Sequence, residues 1–166
     1  MNKAFKVPSY ISALLVVRTF LSIVYLSNGL AKVFEFRDVY IGFWHTNLID
    51  RDTAFNIQMG NTNSSPGFLH DLGMLIVANW GIFQWLLTLG ELAVGLGLLL
   101  GVLGRLTAIG GFLLAFSTFI FTFGANTWTF DYLFEPALFV ALAIAPALPG
   151  LDSRMPWGRS TKQHRQ

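Results

Sequence analysis

No cysteine occurs in the 166-residue chain. That absence removes disulfides, thiolate nucleophiles, cysteine-ligated iron–sulfur clusters and covalently attached c-type haem together. Charge is scarce as well. Asp, Glu, Lys and Arg make up 12% of the residues, where a soluble domain carries about a quarter. The net charge of +2 is too small to point to nucleic acid. There is no phosphate loop, dinucleotide fingerprint or hydrolase elbow, and no internal repeat or low-complexity segment. Any electrons that pass through this protein must travel on a bound cofactor or on a partner.

What the chain does have is apolar sequence in long runs. Hydrophobic residues account for 54%, and the mean hydropathy is +0.56. Its 16 Phe and 5 Trp suit lipid-facing surface and the aromatic belts at membrane boundaries. A spanning helix needs about 20 mostly apolar residues. Ile11–Phe34, Trp80–Val102, Leu106–Phe123 and Phe130–Leu148 meet that requirement. These runs predict an all-α integral membrane protein, a single four-helix bundle in the bilayer. Only Leu103, Gly104 and Arg105 join the second and third runs, which must form an antiparallel hairpin. "GANTWT" makes a short turn to the fourth, and Pro146, Pro149 and Gly150 end it. A cleaved signal peptide at the start is disfavoured, because Arg18 interrupts the apolar region and no small-residue cleavage site follows.

Basic residues set the expected orientation. With the N-terminus inside, the inner side holds Lys3, Lys6, Arg105, Arg154, Arg159, Lys162 and Arg165, and the outer side only Arg37 and Arg51. Both termini, including the tail 149–166, are therefore expected in the cytoplasm and the spans in the inner membrane. The outer segment 35–79 is long for a bundle loop. Within it, Phe36, Val39, Tyr40, Phe43 and Trp44 follow the spacing of one helical face, which predicts an amphipathic helix in the membrane interface. Ser65-Pro66 reads as an N-cap followed by Pro at the first helical position. The stretch "GFLHDLGMLIVAN" reads either as a short helix or as an outward extension of the second span.

Polar residues inside the spans share faces. Arg18, Ser22, Tyr25, Gly29 and Lys32 are spaced four, three, four and three apart, with Asn28 beside them. Gln84, Thr88, Glu91 and Gly95 repeat the pattern on the second span, and Asp131 and Glu135 lie one turn apart on the fourth. Such stripes turn toward one another rather than toward lipid. Counted from the inner ends of their spans, Arg18 lies roughly 11 Å and Glu91 roughly 16 Å deep, which makes them the expected deep pair. Lys32 and Glu135 both fall in the outer third and form the expected outer pair.

Other readings stand beside these. Lys32 can snorkel to the headgroups, Glu135 can sit protonated and hydrogen-bonded, and a buried Arg18–Glu91 pair can hold geometry without catalysing anything. His45 and His70 lack ligand-like spacing, so no metal site is expected. Gly97–Gly101, "GLLLG", matches the small-residue helix-packing motif. Asn63-Ser64-Ser65 is a formal glycosylation sequon, meaningful only in a eukaryotic secretory setting.

The segments "RTFLSIVYLSNGLAKVF" and "GELAVGLGLLLGVLGRLTAIGG", followed by a last apolar span, resemble the DoxX-like family of small four-helix membrane proteins. An arginine early in the first span, Gly29-x-x-Lys32 at its end, and Glu91, Gly95 and Gly97 before the Gly104-Arg105 turn carry the resemblance. It covers most of the membrane part and leaves out the outer segment. In that family, DoxD-type proteins form the small membrane subunit of thiosulfate:quinone oxidoreductase, and DoxX-type members are linked to redox or sulfur-stress assemblies. The resemblance implies a two-electron oxidation at the membrane surface with electrons delivered to quinone, in company with a further protein subunit. Glu91 would exchange the proton, with Arg18 as its charge partner or a donor to a quinone carbonyl. Tyr25, Gln84, Trp85, Lys32 and Glu135 would line the cofactor cavity between the first, second and fourth spans. A non-catalytic accessory subunit of a respiratory or photosynthetic complex is the competing expectation, with the polar stripe packed shut by ion pairs and the aromatic segment docking the complex. A carrier for protons or small solutes ranks last, since broken helices and inverted repeats are lacking.

Overall fold

A computed structural model of the chain describes residues 9–122, 131–145 and 148–151. In chain order the elements are α1 (Ser9–Phe34), a hairpin of β1 (Asp38–Ile41) and β2 (Trp44–Asn47), α2 (Arg51–Ser64), α3 (Gly67–Ala78), α4 (Trp80–Leu100), α5 (Gly104–Thr122) and α6 (Asp131–Ile144). Three of the helices are long and apolar enough to cross a membrane: α1, α4 and α5. At 26 residues, α1 is roughly 39 Å long. The shorter α6 is equally apolar and packs along α5.

Glycines set how closely the helices approach. On α4, Gly95 lies against the backbone of α1, where an added Cβ would fall 2.7 Å from the Leu26 amide nitrogen. On α1, Gly29 receives the Leu92 side chain in the same way. Ser22 then donates to the Gly95 carbonyl at 3.0 Å. Between α5 and α6, Gly111 makes room for the fully buried Phe139 ring. The core runs through these contacts: Leu21, Tyr25, Val94, Leu98, Ala108, Ala115, Phe139 and Leu142.

The expected α4–α5 hairpin is present, and its turn shows the role of "GLLLG". Gly97 accommodates Thr107 across the hairpin, while Gly101 caps α4 in the left-handed conformation at φ 64°, its amide donating to the Gly97 carbonyl. Glycine is the residue with no steric penalty there. The third–fourth connection expected at "GANTWT" lies outside the described residues, as does most of the tail.

Two expectations for the outer segment are corrected. The amphipathic helix predicted to begin at Phe36 is a β-hairpin, pairing Asp38 with Asn47, Val39 with Thr46, Tyr40 with His45 and Ile41 with Trp44. β-branched and aromatic side chains favour strands, and Gly42, at φ 62°, supplies the first position of a two-residue turn. The apolar spacing fits both periods, and the turn glycine decides between them. Ser65 does not cap α3 either. It ends α2, its hydroxyl bonding the carbonyls of Asn61 and Phe121, and Pro66 takes the N-cap place of α3 without a side-chain bond. The stretch before α4 is a separate short helix, α3, divided from α4 at Asn79, whose φ of −111° and ψ of 28° interrupt the helix.

Candidate functional site

The polar stripes of α1 and α4 face one another, as their spacing required, but with different partners from those expected. Lys32 is the cation that meets Glu91. Its Nζ donates to Oε2 at 2.8 Å and to Oε1 at 3.0 Å, and it approaches the Asn28 carbonyl at 3.5 Å. All three ammonium hydrogens thus have an acceptor. Lys32 is 1% exposed and Glu91 12%, so Lys32 does not snorkel to the surface. It stands in the last turn of α1, where the helix dipole favours a cation.

The register of the two helices explains the exchange. Ser22 contacts Gly95, Gly29 contacts Leu92 and Lys32 contacts Glu91, a descending series that defines antiparallel packing. Extrapolated toward the N-terminus of α1, Arg18 falls level with Gly101, and the Arg18 guanidinium does lie against Gly101, donating to the Pro149 carbonyl at 2.8 Å. α1 begins beyond the level at which α4 ends, so depths counted from those two ends are not comparable. Arg18 and Lys32 are fourteen positions apart, roughly 21 Å along the helix, beyond the reach of any side chain. The deep pair Arg18–Glu91 is therefore not formed.

The outer pair Lys32–Glu135 is replaced by a contact between Glu135 and the buried Tyr25. Glu135 also lies within electrostatic reach of Glu91, so α1, α4 and α6 gather two carboxyls, an ammonium and a phenol. The edge of the Tyr25 ring packs against Phe139 with centroids 5.3 Å apart. On the α4 side Thr88 is buried, its hydroxyl bonded to the Gln84 carbonyl at 2.6 Å.

Gln84 and Trp85 do not join this group. The Gln84 amide turns back to the Gly81 carbonyl at 3.4 Å, and the Trp85 ring lies under the Arg51 guanidinium, 4.7 Å from its centroid. Two grooves lie among the described residues, and neither is the cavity between the first, second and fourth spans that the family resemblance implies. One groove, of about 630 Å³, runs between α4 and α5 along Gly90, Ala93, Gly97, Thr107 and Gly110; another lies on the outer face of α1 at Val16 and Phe20. Neither is lined by Lys32, Glu91, Tyr25 or Glu135. A quinone headgroup needs a donor for its carbonyl and room for its ring, and the Lys32 ammonium, 1% exposed, already has its hydrogens directed at Glu91 and Asn28.

Arg51 is the residue that sequence reasoning misses. By sequence it counts only as an outer positive charge, yet it closes the cluster from that side. Its Nε donates to the Lys32 carbonyl at 2.6 Å, its Nη2 meets Glu35 at 3.0 Å, and its face covers Trp85. Asp50 precedes it as the N-cap of α2, accepting from the Thr53 amide at 2.7 Å. Bonds from the Thr53 side chain and amide hold the Asp50 carboxyl below its usual range, helped by the charges of Arg37 and Lys32. The Asn28 side chain receives the Ile49 amide at 3.1 Å, pinning the same connection to α1. An N-cap signal at Asp50 is legible in the sequence; the reach of Arg51 back to α1 is not.

His45 bonds Asp38 at 3.1 Å on the hairpin, and His70 sits beside Asp71 on α3. Among the described residues no three of His, Asp or Glu converge as a metal site would require. Compared with family models, curated proteins and solved structures, the chain matches none.

Proposed function

We propose that this protein is a membrane subunit of a quinone-linked oxidoreductase, thiosulfate:quinone oxidoreductase by resemblance, and that its own role in the assembly is structural. The Lys32–Glu91 pair carries the second half of this reading: a fully buried ammonium with both carboxylate oxygens engaged holds helices together. The DoxX-like segments around Lys32 and Glu91 support the first half. The lack of cysteine agrees with redox chemistry carried by a partner subunit and by quinone. On this reading α6 is part of a fourth span, the spans lie in the inner membrane, and the basic residues of the tail keep both termini cytoplasmic.

The test is thiosulfate-dependent quinone reduction in native membranes, with the abundance of the chain measured in parallel. Glu91→Gln is expected to lower abundance and activity together, and the double replacement Lys32→Met with Glu91→Leu to restore both. Activity lost at unchanged abundance would place Glu91 in the chemistry and overturn the structural role. Equal rates with and without the chain would remove it from the oxidoreductase.

A further inference from the structure

The β1–β2 hairpin is amphipathic in a way its sequence conceals. Paired residues on antiparallel strands share a face, and alternate residues along a strand return to it. Asp38, Tyr40, His45 and Asn47 therefore form one face, held by the His45–Asp38 bond and the stacking of Tyr40 on His45 at 4.6 Å. Val39, Ile41, Trp44 and Thr46 form the other, and Phe43 projects from the turn against Trp44 with ring centroids 5.6 Å apart. Phe43 is 91% exposed, Ile41 70% and Trp44 69%.

An isolated two-stranded hairpin is marginal in water and needs its apolar face covered. Something must therefore lie against Ile41, Phe43 and Trp44. The chain holds the base of the hairpin at the outer end of α1: the Phe36 amide bonds the Ala31 carbonyl, the Leu48 amide bonds the Arg37 carbonyl, and the Ile49 amide bonds the Asn28 side chain. The exposed apolar surface of α1 reaches that base through Leu30 and Phe34, so the surface facing lipid along the helix continues onto the hairpin. The charged residues, Arg37 and Asp38, stand at the base, and none stands at the tip.

We propose that the Ile41–Phe43–Trp44 tip inserts into the outer boundary of the lipid bilayer as an interfacial anchor, with the Asp38–His45 face toward water. Aromatic side chains with one polar edge are suited to that depth. The hairpin then fixes the height of α1, and through the 48–51 connection the height of Arg51 above the charged cluster. This inference requires the chain to lie in a membrane, and it is independent of the enzyme the chain serves.

The absence of native cysteine makes the test direct. Single-cysteine variants Phe43→Cys and Asn47→Cys of the full chain are spin-labelled and reconstituted in phosphatidylcholine–phosphatidylglycerol vesicles. Collision with oxygen, which concentrates in lipid, is compared with collision with a water-soluble nickel chelate present on both sides. The oxygen-to-nickel ratio is expected to be several-fold higher at position 43 than at 47. Equal, nickel-dominated ratios would put the hairpin in water and overturn the proposal. Shielding of position 43 from both reagents would mean that a second copy of the chain covers the face, and would overturn it equally. Circular dichroism of each labelled variant against the parent chain establishes that the fold compared is the same.

Discussion

Lys32 and Arg18 stand on one stripe of α1, and their surroundings could hardly differ more. Lys32 is sealed between helices with a bidentate carboxylate, whereas Arg18 is partly exposed and bonded to one backbone carbonyl at the far end of the bundle. Their sequence neighbourhoods do not distinguish them, since each has small or polar residues one turn away. The difference comes from α4, whose antiparallel register brings Glu91 to one level and its own glycine cap to the other. In a helix bundle, what a buried cation meets is decided by the partner helix at that height. The Lys32 end of the α1–α4 interface is thus locked by charge, and the Arg18 end by close backbone packing and a carbonyl bond.

Breaking the charged lock gives the largest effect. Lys32→Met leaves Glu91 buried without its cation, a loss that costs about 3–5 kcal/mol in comparable pairs. The expected outcome is a large fall in the thermal midpoint of the detergent-solubilised protein, or failure to accumulate. Lys32→Met with Glu91→Leu should recover most of it, because replacing both partners with apolar groups is often neutral. A double variant no better than the single one would show that the pair does more than satisfy itself.

Much of the bundle is legible in the sequence because its signals are local. Apolar runs of the right length mark α1, α4 and α5, Leu103, Gly104 and Arg105 mark the turn between two of them, and the four-three spacing correctly turns Ser22, Tyr25, Lys32, Thr88 and Glu91 inward. The pairing within that interior is not legible, because relative height is a property of two helices and neither sequence contains it. The hairpin is hidden for another reason. Five apolar residues within nine positions fit a helical face and a ribbon nearly equally well, and only Gly42 at positive φ separates them. Arg51 escapes notice because its partners, Lys32, Glu35 and Trp85, are distributed over α1, the loop after it and α4.

The close-packed part of the interface is probed next. Gly95→Ala directs a methyl at the Leu26 backbone, which cannot rotate away, and overpacking of that kind costs about 1–3 kcal/mol. Gly29→Ala meets chiefly the Leu92 side chain, which can change rotamer, so its loss of thermal stability should be the smaller of the two. The reverse order would mean that α1 and α4 are held apart at Gly95 and pressed together at Gly29.

A smaller effect belongs to the connection that carries Arg51. Asp50→Ala removes the cap of α2 and is expected to cost about 1 kcal/mol. The wild-type cap also has a pH signature. The carboxyl is held below its usual range in the folded protein, so its contribution is complete above the unfolded value, close to 3.8, and is lost as pH falls through the lower folded value. Stability measured down an acid series should therefore fall less steeply below that point in Asp50→Asn, which keeps a capping oxygen and cannot titrate. Identical acid slopes would exclude the cap as a contributor.

The smallest change returns to the opposite end of α1. Arg18→Lys keeps the positive charge and a donor able to approach the Pro149 carbonyl, and at a partly exposed site it is expected to shift stability by no more than about 0.5 kcal/mol. The same chemical exchange in reverse, Lys32→Arg, forces a planar guanidinium into the space of a compact ammonium and should be far more damaging. If thermal unfolding ranks these two conservative swaps in that order, the asymmetry between the ends of α1 is a property of packing against α4. If Arg18→Lys proves as harmful as Lys32→Arg, the Arg18 end has a requirement for the guanidinium fork that a single carbonyl bond does not explain, and the contacts among Arg18, Gly101 and Pro149 become the next place to look for function.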